Sequence, residues 1–189
     1  MIYIIPVIHE VQARNPDDYP WAKDFLKYLK EQLVSLKVSV VAEEWSIDSL
    51  NENLTNISNV KQVVDDLRIT YKILEYSIEE RQKLGIPLRS ELRKKLFPKY
   101  DLLIGLTSEQ EKSLDKEEAK YFTVREKHWY ELIKDCLTED IILICGANHT
   151  NLGDRNLRKD IPFDIFLKNN GNKVKILTED FFVIHISKS

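Results

Sequence analysis

The chain of 189 residues holds two cysteines, five glycines and one methionine, and each scarcity excludes something. Two cysteines cannot build a disulfide framework. Cys145 stands inside an apolar run and Cys136 on the apolar side of a helical stretch, so both read as small buried hydrophobes. That usage fits a reducing cytoplasm. The five scattered glycines leave no Gly-rich phosphate loop. A Walker pattern, HExxH, a CxxC pair and a Gly-x-Ser-x-Gly elbow are also missing, which argues against a serine-nucleophile hydrolase. No apolar run approaches the ~20 residues of a membrane span. The N-terminal run lacks a basic flank, is broken by Pro6 and ends at His9, so it reads as a first strand and not as a signal peptide. Charge of one sign is lacking too: 28 Lys and Arg stand against 31 Asp and Glu, a net charge of −3. Neither nucleic acid nor a membrane is therefore expected as a partner. The basic stretch Arg89, Arg93, Lys94, Lys95 and Lys99 reads as a solvated helix face.

What is present is ordinary for a globular protein, with 43% hydrophobic and 31% charged residues, enough for one α/β domain over residues 1–189. Apolar runs at 2–8, 38–43 and 140–145 read as strands. The last is apolar on both faces, as a central parallel strand should be. Period-3.6 patterns predict helices at 21–37, 60–84 and 115–137, the third opening on a capping box of Asp115 and Glu118. Shorter helices are expected at 90–97 and, divided by Pro162, at 155–168. Ile86-Pro87-Leu88 suggests a short strand, 46–58 a loop, and the charged stretch 107–116 a mobile segment. Tyr100–Leu106 fits either a strand or a packed loop. Residues 173–177 alternate like a strand with one wet face, and 181–186 form a last edge strand. Strands alternating with helices imply a three-layer α/β fold: a mainly parallel sheet, helices on both faces, and a C-terminal edge strand or hairpin.

Two of the four histidines stand where a buried strand runs out. Ile8 is followed by His9-Glu10, and Cys145 by Gly146-Ala147-Asn148-His149. The run at 38–42 ends in Glu43-Glu44. Ligands of open α/β sheets bind beyond the carboxyl ends of the strands. Two imidazoles and several carboxylates on that rim make a metal-binding or acid–base constellation. His9, Glu43 and His149 are the candidate metal ligands, and Glu10 or Glu44 the candidate base. By the period of two, Glu43 and Glu44 face opposite ways. In the helix at 115–137, Glu126 falls inside the apolar arc and Arg125 on its flank, where charges are rarely left unpaired. Arg125 aimed at the rim would stabilise an oxyanion or orient a carboxylate. His128 and His185 read as structural, and Tyr71 and Tyr76 lie on a helix stripe that could serve an interface.

The ordered elements Pro6-Val7-Ile8-His9-Glu10, Val41-Ala42-Glu43-Glu44, Arg125-Glu126-Lys127-His128-Trp129 and Gly146-Ala147-Asn148-His149 resemble the erythromycin-esterase/ChaN-like superfamily, which includes TraB/PrgY and Tiki proteins. The resemblance covers about residues 1–178 and looks strongest to small stand-alone bacterial members. It implies an α/β core with one site formed by the two His motifs, the Glu and the Arg. Tiki-type members are metal-dependent proteases, the esterases hydrolyse a lactone with a histidine activating water, and ChaN binds haem. The resemblance thus implies a site more than a reaction. Pro6 stands where the first motif has glycine, Glu126 replaces Asp or Asn, and Trp129 a smaller apolar residue. The chain also lacks room for the helical substrate domain of the esterases, which argues against a macrolide substrate.

The expectation is a small cytoplasmic hydrolase, peptidase or esterase-like, acting on a small molecule or peptide. Its catalytic residues would be His9, Glu10, Glu44, Arg125 and His149. A divalent metal (Zn, Mn, Co or Fe) on His9, Glu43 and His149 would lower the pKa of bound water. Two alternatives stay open: a binding module for a small ligand, haem or protein partner at the same rim, and a metal-free hydrolase using His9 as base. A homo-oligomer is compatible with either.

Overall fold

The apolar runs become adjacent strands in the structure, a computed structural model that describes residues 1–46, 58–99 and 105–177. Five parallel strands, β1 (Ile2–Val7), β2 (Val40–Glu43), β3 (Thr70–Ile73), β4 (Ile141–Gly146) and β5 (Val174–Ile176), lie in the order β3-β2-β4-β1-β5. β4 sits between β1 and β2, with Val7 opposite Gly146 and Glu43 opposite Ile144. Its six residues are all buried, which explains its unbroken apolar sequence.

Side chains alternate between two cores. On one face Ile5, Val7, Val41, Ile142 and Ile144 pack against α1 (Glu10–Ala13), α2 (Pro20–Leu36) and α3 (Asn59–Asp66), through Val11, Phe25, Leu29, Leu33, Val60 and Val64. On the other, Ile4, Ala42, Leu143 and Cys145 meet Trp129 and Ile133 of α7 (Phe122–Ile133) and Phe163 and Leu167 of α8 (Phe163–Asn169). This is the three-layer α/β arrangement with helices on both faces. Among the described residues β5 is the C-terminal edge, and the expected strand at 181–186 lies outside them. The chain leaves β1 towards the first face and β4 towards the second. The crevice between these neighbouring strands is therefore a topological switch point, where such sheets bind ligands.

Several sequence expectations are corrected. The helix expected over 60–84 is three elements: α3 ends at Asp66, β3 follows, and α4 runs Ile78–Leu84. Arg68 turns the chain at φ 56°, and Thr70, Tyr71 and Ile73 then suit a strand. The 3.6 period persists by coincidence. Tyr71 is therefore on a strand, and Tyr76 stacks on His128 with ring centroids 3.8 Å apart. The charged stretch 107–116 folds as α6 (Ser108–Glu118), capped by Thr107 and Gln110, so Asp115 lies inside that helix and not at its start. A 3-10 turn at Ala119–Tyr121 separates α6 from α7. Residues 155–162 are not helical; α8 begins after Pro162, which is suited to a helix start. Ile86–Leu88 is coil leading into α5 (Arg89–Leu96). Residues 47–57 of the expected loop at 46–58, and 100–104 of the segment Tyr100–Leu106, lie outside the described residues.

Candidate functional site

Beyond the carboxyl ends of β1, β2 and β4 opens a cleft of about 910 Å³. His9, Glu10, Glu44, Arg125, Gly146 and His149 line it, together with Arg81, Arg89, Asp115 and Glu118 from α4, α5 and α6. Five of the six expected site residues thus share one cavity with Gly146; the sixth, Glu43, does not line it.

Glu44 is the centre. It is the first residue after β2 and points to the α7 face, while Glu43 points to the α1–α3 face, as the period of two requires. Glu44 Oε1 lies 3.3 Å from His149 Nε2 and 3.8 Å from His9 Nε2. It also accepts from Arg125 Nη2, and Glu44 Oε2 accepts from the Gly146 N–H at 2.6 Å. Burial alone would raise the Glu44 pKa, but His149, His9 and Arg125 hold it well below the usual carboxylate range. Gly146 is glycine for reasons of space. A Cβ there would stand 3.1 Å from His9 Nε2 and 3.3 Å from Glu44 Oε2.

His149 is buried between the rings of Phe122 and Trp129, with centroids 4.1 and 4.6 Å away. Its Nδ1 donates to Glu126 Oε1 at 2.8 Å, and Arg158 grips the two oxygens of Glu126 at 2.7 and 2.9 Å. Burial pushes the His149 pKa down; the carboxylates of Glu44 and Glu126 overcome this and leave it raised. Arg125 does not reach freely into the cleft. Its Nε donates to Glu75 Oε1 at 2.9 Å, and Glu75 also accepts from Trp129 Nε1 at 3.0 Å and pairs with Arg81. Glu75 and Arg158 sit in stretches whose sequence carries no strand-end signal. Glu126 was legible as a charge inside an apolar stripe.

His9 differs from His149 in being open, with its side chain 56% exposed. The expected metal set of His9, Glu43 and His149 does not converge on one point. Glu43 is fully buried, and its oxygens accept from Gln12, Ser58 and Tyr71. Gln12 stands between Glu43 and His9. Among the described residues no three His, Cys, Asp or Glu side chains are arranged as a metal-holding group. Glu10 is exposed at the mouth.

No protein-family model, no curated protein and no solved structure matches the chain. What stands on geometry alone is a parallel α/β protein with two imidazoles, a carboxylate and a guanidinium gathered at its switch point. Among the described residues no helix is long and apolar enough to cross a membrane.

Proposed function

We propose that the chain is a small hydrolase of metal-independent, esterase-like chemistry, in which His9 activates water at the floor of the cleft. One observation carries the reading. The open imidazole of His9, the buried imidazole of His149 and the buried guanidinium of Arg125 all face the single carboxylate of Glu44. Neutral His9 takes a proton from water as the water attacks an ester or lactone carbonyl, and returns it to the alcohol oxygen as the ester C–O bond breaks and the acid is released. The developing oxyanion meets the positive field of His149 and Arg125, whose positions their own carboxylate partners fix in advance. Glu44 orients His149, whose Nε2 lies 3.3 Å from it. The reading accords with membership of the erythromycin-esterase/ChaN-like superfamily, a cytoplasmic location and a small-molecule or peptide substrate, all of which belong to the proposal.

A second reading, a divalent Zn, Mn, Co or Fe ion on His9, His149 and Glu44, is favoured by the approach of both Nε2 atoms to one Glu44 oxygen. It would have to displace Arg125 from that oxygen, and on that ground it comes second. In this reading the ion would lower the pKa of bound water, and Glu10 at the mouth is the remaining candidate base.

The deciding experiment is a hydrolysis screen over aryl esters, lactones and peptides with chelator-treated protein, beside elemental analysis of untreated protein. We expect turnover to survive chelation and to fall by about 10²–10⁴-fold in His9→Gln. Near-stoichiometric metal whose removal abolishes turnover would establish the second reading. Absence of turnover in every class, with haem or another small ligand bound at the cleft, would make the chain a binding module.

A further inference from the structure

A glutamine and a glutamate are buried behind His9. Gln12 and Glu43 are both fully buried, and Gln12 lies one helical turn after His9. His9 Nδ1 is 2.8 Å from Gln12 Oε1, and Gln12 Nε2 is 2.7 Å from Glu43 Oε1. Glu43 Oε1 also accepts from Ser58 Oγ at 2.7 Å, and Glu43 Oε2 accepts from the Tyr71 hydroxyl.

The chain of contacts has a direction. Burial raises the Glu43 pKa, but the hydroxyls of Tyr71 and Ser58 both donate to it, the latter while accepting from the Val60 N–H, and hold it as an acceptor, so the amide of Gln12 turns its NH₂ to Glu43. Its carbonyl oxygen is then left for His9, and an oxygen there requires a proton on Nδ1. Neutral His9 consequently carries its proton on Nδ1, and its lone pair on Nε2, the nitrogen that faces Glu44 and the cleft.

We infer that Glu43 and Gln12 are positioning residues that lock neutral His9 in the Nδ1–H tautomer, presenting an unprotonated Nε2 to the cleft. The inference deepens the hydrolase reading, since a base needs its lone pair on the side where water enters. It also explains the buried glutamate at the end of β2 without a ligand. Ser58 and Tyr71 supply enough donors to hold Glu43 as an acceptor. Asn59 Nδ2 donates to the carbonyls of Val11 and Arg14, which fixes the short helix carrying Gln12.

The test reads the tautomer and needs no substrate. In ¹⁵N NMR of the wild-type protein, at a pH where His9 is neutral, the two ring nitrogens report which one is protonated. A His9→Gln sample assigns the signals. We expect Nδ1–H in the wild type. Gln12→Leu should shift His9 to the Nε2–H form that a free histidine favours, and Gln12→Glu, which restores an acceptor, should keep Nδ1–H. Finding Nε2–H in the wild type overturns the inference without any variant, and so does an unchanged Nδ1–H signal in a folded Gln12→Leu. If the tautomer is as expected and the screen shows no turnover, the hydrolase reading fails while the relay stands. Loss of turnover in Gln12→Leu with recovery in Gln12→Glu would join the two.

Discussion

At the scale of single residues, the site is an arrangement in which space and charge are both committed. Gly146 is the sharpest case, since its φ of −57° would suit any residue and only the approach of His9 and Glu44 demands the missing side chain. Gly146→Ala should keep the fold, displace His9 and Glu44 by a few tenths of an ångström, and lower turnover by about 10-fold or more, since catalysis is sensitive to misplacement of this order. Chemical shifts of the His9 ring beside a thermal melt would check it; an unperturbed His9 would refute it. The pairing of Arg125 with Glu44 and Glu75 follows the same logic. A guanidinium buried without carboxylates would cost several kcal/mol, so the α7 face carries both signs together. The expectation that charges in an apolar stripe find partners was sound, while the partners themselves, Glu75 and Arg158, came from stretches carrying no mark of their role.

At the scale of elements, loops between strands and helices decide where the site residues stand. Gly153 is needed because a Cβ there would lie 2.5 Å from the Asn148 backbone, in the turn that carries His149. Two other turns use ungainly residues. Lys37 closes α2 at φ 52°, and Arg68 joins α3 to β3 at φ 56°, both left-handed positions that glycine occupies at lower cost. Replacing Lys37 by glycine should therefore stabilise the protein by up to about 1 kcal/mol, read from urea unfolding with an unchanged slope. A loss of stability would show that the lysine makes a compensating contact. Arg68 also marks where sequence reading failed. Val60, Val63, Val64, Leu67, Tyr71 and Leu74 repeat at helical spacing across an α3–β3 junction, and periodicity is blind to one left-handed residue between them.

At the scale of the whole molecule, the site and the stability share groups, so pH should act on both. His149 has a folded pKa raised above its ordinary 6.5, so its contribution is complete below that value and is lost as pH climbs through the raised pKa. Glu44 is held well below its ordinary 4.5, so its contribution is present above 4.5 and fades as pH falls. Through these two groups the unfolding free energy should be greatest between about pH 4.5 and 6.5, with Glu43, whose pKa burial raises, acting in the opposite sense as pH rises above 4.5. Its alkaline decline should flatten in His149→Gln, measured by urea titration across pH. An alkaline slope identical in that variant would mean other groups are responsible. The layers were already written in the order of residues: alternating apolar runs and amphipathic stretches must bury both faces of a sheet, and His9, Glu43-Glu44 and Gly146–His149 stand at strand ends in the linear order. Which ends adjoin was set by the folding of the whole chain, because placing β4 between β1 and β2 depends on crossovers no local pattern encodes. That placement turned Glu44 and not Glu43 towards the histidines and put Gln12 behind His9. Hydrogen bonds spanning 15 to 102 positions of chain are set by packing, and nothing local announces them.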